Sequence, residues 1–94
     1  GVNPLNISES TISDLDVFPN PTRDIINISF DVTKNIDFDM RIVNLLGEVI
    51  IQEKQSNFKG NYIYRTNISK EKKGMYFIEI STTSGKIIKR IILQ

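Results

Sequence analysis

The chain has 94 residues, with 12 Lys and Arg against 11 Asp and Glu and a formal net charge of +1. Charge this balanced argues against nucleic acid or an anionic membrane as the main partner. The sequence holds no His and no Cys, which removes His- and Cys-dependent catalytic triads, the usual zinc sites and any disulfide.

The length suits one domain around one core. Ala is absent while Ile, Val, Phe and Tyr are plentiful, so the composition leans towards β-structure. Residues 1–14 are polar with no sustained period and read as a linker running into the domain. Residues 15–18 form a short first strand, ended by Pro19-Asn20-Pro21, where prolines suit an edge or a kinked crossing. Ile26, Ile28 and Phe30 alternate with Asn27 and Ser29 in a second strand. Phe38, Met40 and Ile42 alternate with Asp39 and Arg41 in a third. Asn44-Leu45-Leu46-Gly47 then turns the chain, with Gly47 expected at positive φ.

Residues 48–53 form the return strand, 54–60 a polar loop and 62–68 a fifth strand. A charged connection over residues 69–74 leads to a sixth strand, with Tyr76, Ile78 and Ile80 on one face. Ser84-Gly85 fits a two-residue hairpin turn before the final strand, residues 87–93. About seven antiparallel strands with regular turn signals is the pattern of an all-β, immunoglobulin-like sandwich. No stretch carries the helical period.

Three segments carry a family resemblance. The first is Val17-Phe18-Pro19-Asn20-Pro21-Thr22 with Ile26-Asn27-Ile28 after it. The second runs from Ile42 through the Gly47 turn to Ile50. The third runs from Asn67 through Gly74-Met75-Tyr76-Phe77-Ile78 to Ser84-Gly85 and Lys89-Arg90-Ile91-Ile92. In order and spacing, over residues 15–94, they resemble the C-terminal sorting domain of the type IX secretion system of Gram-negative Bacteroidota. The motif positions are Pro19, Asn20, Pro21, Gly47, Gly74, Tyr76 and Gly85.

The resemblance implies a C-terminal secretion signal that directs an upstream passenger across the outer membrane and is cleaved off at the cell surface. It implies an outer-membrane translocon and a sortase-like C-terminal signal peptidase as partners, with the scissile bond in or before residues 1–14. It implies a secreted or surface location, no catalysis, no metal and no cofactor. Two departures stand out. The family usually has an aliphatic residue where this chain has Glu71, so that connection should bulge outward, with Ile68 as local anchor. The basic pair is Lys89-Arg90 where the family has two lysines.

Lys89, Arg90, Ile91, Ile92 and Leu93 are the candidate recognition residues. They also suit a core strand whose two charges deter edge-to-edge pairing, and the two roles are compatible. Edge strands give the chain a route to weak self-association. Asp14, Asp16, Asp37 and Asp39 form D-x-D pairs that a cation such as calcium could use, but no Gly-turned ligand loop accompanies them. Tyr62, Tyr64 and Tyr76 could line a sugar platform or enter the core. A platform would fit the rival reading, a fibronectin-like accessory module that binds polysaccharide or mediates adhesion.

Overall fold

The computed structural model describes residues 11–94, so residues 1–10 of the expected linker lie outside the described residues. Every described element is a strand: β1 (Ile12–Phe18), β2 (Ile25–Asn44), β3 (Val49–Asn67), β4 (Gly74–Thr82) and β5 (Gly85–Leu93). The chain is all-β, as expected. The expected count of about seven strands is corrected to five, because neighbouring segments fuse into two long strands.

The fusion has a local cause. Alternation lapses at Thr33-Lys34-Asn35, all exposed, and the pattern suggests that a strand stops there. The backbone nevertheless stays extended, and pairing with β3 breaks after Val32 and resumes at Ile36, with a further register shift before Phe38. Residues 54–60, expected as a loop, are the matching part of β3. There Asn57 and Gly60 take positive φ of 51° and 116°. Side chains fasten the irregular stretch: Asn57 N–H donates to Asp37 Oδ1 at 2.8 Å, and Asn35 Nδ2 donates to the Asn57 carbonyl at 3.1 Å.

The β2–β3 ribbon therefore bends in its middle, and aromatic rings fill the inside of the bend. Phe30 and Tyr62 are cross-strand partners on one side. Phe38, from beyond the bend, packs on both, at ring-centroid distances of 5.2 Å and 5.0 Å. Phe58 completes the group at 5.6 Å from both Phe38 and Tyr62. Such pairs add about 0.5–1.5 kcal/mol each beyond the area they bury.

One edge of β2 pairs with β3 along its length. The other edge pairs with β1 over its first half and with β4 over its second, and β5 pairs with β4. Ile26, Ile28, Phe30, Val32, Phe38, Met40 and Ile42 are all buried, so a single face of β2 looks inward before and after the bend. Tyr76, Ile78 and Ile80 of β4 join this core with Ile91 and Leu93 of β5. β1 begins at Ile12 rather than at residue 15, and Ile12 is itself a core residue. The β4–β5 turn falls on Thr83-Ser84, with Gly85 already paired to Thr82, one position earlier than the spacing suggested.

Two outcomes test this account. Phe38→Ala removes the ring that spans the bend and should lower unfolding free energy by about 3–5 kcal/mol in a denaturant titration. Burial, with a smaller push from Glu53, raises the Tyr62 pKa from 10.0 to about 12. Its neutral form is favoured in the fold, so its contribution is complete below pH 10 and is lost as pH rises towards 12. Tyr62→Phe should flatten that alkaline loss in melts followed across this window.

Candidate functional site

Because the ribbon folds back, the start of β2 and the end of β2 come to the same pole, and the motif residues gather there. Asn44, at the end of β2, pairs with Tyr76, which in turn pairs with Ile91; Gly74 pairs with Leu93. The β1–β2 connection, Pro19 to Asp24, reaches across to the outer edge of β5. Thr22 and Leu93 form a parallel bridge there.

Asn20 supplies the main contact. Its Nδ2 donates to the Arg90 carbonyl, and its Oδ1 accepts from Ile92 N–H, both at 3.1 Å. One side-chain amide thus imitates a strand residue against β5. Thr22 continues the pairing: its N–H donates to the Ile92 carbonyl at 2.9 Å, and its carbonyl accepts from Gln94 N–H at 2.8 Å. The Thr22 side chain is buried, and its hydroxyl donates to the Ile25 carbonyl. Thr22 was part of the motif segment, but its role was not legible. The signal available was a small hydroxyl residue between a proline turn and a strand, which can hydrogen-bond its own neighbourhood.

The five residues expected to be recognised divide sharply. Ile91 and Leu93 are core residues, Ile92 is half-buried with its backbone occupied by Asn20 and Thr22, and Lys89 and Arg90 are exposed. The strand is therefore structural at its end and accessible just before it.

The remaining motif positions shape the same pole, except Gly85 in the far hairpin. Asn44 organises the Gly47 turn. Its Oδ1 accepts from Leu46 N–H at 3.0 Å and Glu48 N–H at 2.9 Å, while its Nδ2 donates to Glu48 Oε1 at 2.7 Å. Gly47 has the expected positive φ, 86°. The turn presents Leu45 and Leu46 to solvent, 70% and 85% exposed. Gly74 opens β4 at φ 142°, a conformation that side chains resist, although a Cβ there would meet nothing within 4 Å.

The Tyr76 ring is buried, and its hydroxyl donates to the Lys72 carbonyl, tying the charged connection to the core. Burial, then the Glu71 charge, raises its pKa above the ordinary value. Ile68 anchors that connection at 2% exposure, while Glu71 stays half-exposed, the arrangement anticipated for the departure at this position.

The other candidates do not assemble a site. Tyr62 and Tyr76 are core residues and Tyr64 is half-buried, so the tyrosines make no exposed aromatic strip. Asp37 is used by Asn57, and Asp39 Oδ2 accepts from Gln52 Nε2 at 2.8 Å. Among the described residues no group of three or more His, Cys, Asp or Glu is placed to hold a metal ion.

Residues 16–94 match the family of secretion system C-terminal sorting domains. The chain belongs to that family. It is 31% identical over 84 residues to an ulvan lyase of Nonlabens ulvanivorans, covering 88% of this chain and 15% of that protein. It is 31% identical over 96 residues to an endo-acting ulvan lyase of Formosa agariphila, covering 99% of this chain and 18% of that protein. The chain thus spans less than a fifth of the length of these relatives. A sorting domain of this family is the C-terminal signal of a protein exported by type IX secretion, attached to an upstream passenger. It belongs to proteins that cross the outer membrane to the surface or the medium.

Asn20→Ala should remove both amide contacts to β5. We expect a loss of about 1–3 kcal/mol in stability, with the Ile92 amide losing protection in hydrogen exchange while the Ile91 amide keeps it.

Proposed function

We propose that the sorting domain is read at β5, and that the pole built around Asn20 holds this strand in readable form. The observation that supports it is the pairing of an anchored strand end with two exposed cations, Lys89 and Arg90, immediately before it. The reader is the outer-membrane translocon of the type IX system. Residues 15–94 carry the family motif, and the linker to the passenger is the part of residues 1–14 that precedes the opening of β1 at Ile12. A sortase-like signal peptidase cuts in or before that linker, whose sequence is polar with no sustained hydrophobic period. The cut leaves the passenger released or attached to surface lipopolysaccharide.

The domain contributes no chemistry to its passenger. The curled sheet is, in this reading, the two-layered immunoglobulin-like sandwich whose layers are the two halves of the bent ribbon. No exposed aromatic strip favours the accessory-module alternative.

A reporter carrying residues 1–94 at its C-terminus should reach the medium or surface of a type IX-competent host. Retention in the periplasm, under conditions where another sorting domain is exported, would defeat the proposal. Replacing Lys89 and Arg90 with Gln should block export while shifting the melting temperature by no more than a few degrees, since exposed charges contribute about 0–1 kcal/mol.

A further inference from the structure

β5 is an edge strand, and its outer edge is covered along only part of its length. The groups that Asn20 and Thr22 occupy are the Arg90 carbonyl and the N–H and carbonyl of Ile92. In an antiparallel ladder, alternate residues point their backbone groups to opposite sides. The β4–β5 register runs without a shift from Gly74–Leu93 to Thr82–Gly85. The even-numbered residues of β5 therefore face away from β4 throughout. It follows that both backbone groups of Lys86 and Ile88, and the N–H of Arg90, point outward. No hydrogen bond from another described residue reaches them. The open stretch is bounded by the Thr83-Ser84 turn at one end and by Asn20 at the other.

The side chains around this stretch share a character. Lys86, Lys89 and Arg90 are exposed, and β5 contains no acid. Lys86 lies 3.8 Å from Glu79, which is already bonded to Arg41 at 2.6 Å. Lys89 and Arg90 make no ion pair with a described residue. Ile88, between the cations, is an exposed apolar side chain at 55%. An edge with free backbone groups, Lys86, Ile88 and Arg90 on one face and Lys89 on the other is a docking strip for an extended chain.

We propose that residues 86–90 of β5 take one extended, acidic segment of the export machinery by strand addition. Asn20 and Thr22 stop the added strand at Arg90 and so set its register. The inference rests on the reading of β5 as the recognised strand and moves its centre. The contact residues become Lys86, Ile88, Lys89 and Arg90, while Ile91, Ile92 and Leu93 serve to hold the strand in place.

Proline separates this idea from a purely ionic one. At position 88 it would remove an outward N–H and leave the bonds to β4 untouched, a placement that edge strands tolerate. Ile88→Pro fused to the reporter should cut export sharply with the fold retained by circular dichroism, whereas Ile88→Val, which keeps both the N–H and the exposed apolar contact, should lose far less. Lys86→Pro, at the neighbouring outward N–H, gives the same reading if the first variant folds poorly. Normal export of a folded proline variant overturns strand addition. If the Lys89 and Arg90 replacements still block export in that case, β5 remains the recognised element and only the mode of contact is wrong. If they too are exported normally, the reading of β5 fails with it.

Discussion

The bend in the β2–β3 ribbon is the constraint on which the rest of the molecule depends. A flat ribbon with one apolar face would leave that face in water. Folding it double at the Asn57–Gly60 irregularity lets the face bury itself, with Phe38 set against Phe30 and Tyr62. The hydrophobic gain and the ring geometry favour the same conformation, while the polar side chains of Asn35 and Asp37 satisfy the backbone where pairing is irregular. β1 and β4 then complete the two halves on one edge of β2, and no separate sheet has to be assembled.

The bend also determines where the motif goes. Doubling the ribbon brings the start of β2 beside the end of β5, and Asn20 with Thr22 closes the remaining gap. Residues separated by some seventy positions in sequence thus become neighbours through backbone-type hydrogen bonds, with one amide side chain acting as a substitute strand. A sheet edge left open is a liability for association. Here part of it is closed by the motif loop and part carries positive charge, so the edge is managed without being abolished.

Much of this was legible in the sequence because period-2 alternation reports burial directly. Ile26, Ile28, Phe30, Met40, Ile42, Ile78 and Ile80 are core residues where the pattern placed them. The Gly47 turn was legible because positive φ selects glycine. Strand continuity was not, since Thr33, Lys34 and Asn35 look like a loop, and only the partner strand shows that pairing resumes at Ile36 after the interruption. The contact between Asn20 and β5 was equally hidden. A Pro-Asn-Pro run announces a turn, but which distant carbonyl its amide will meet depends on how the whole ribbon folds. That a last strand ends the fold was legible, but its division into anchored and accessible residues needed the outward edge of β5 to be identified.

The bend has one more consequence, in the direction of the chain. Ile12 pairs with Val32, and Thr33 N–H donates to the Thr11 carbonyl, so the polypeptide enters the fold at the bend. Its last strand finishes at the opposite pole, in a domain whose longest dimension is 34 Å. β5 runs between these two poles, from the Thr83-Ser84 turn beside the bend to the end held by Asn20 and Thr22. A segment docked on residues 86–90, as proposed above, would lie in the half of β5 nearer the point of entry. Cargo held close to Ile12 would compete with it for space, whereas the anchored end of the strand lies clear at the opposite pole.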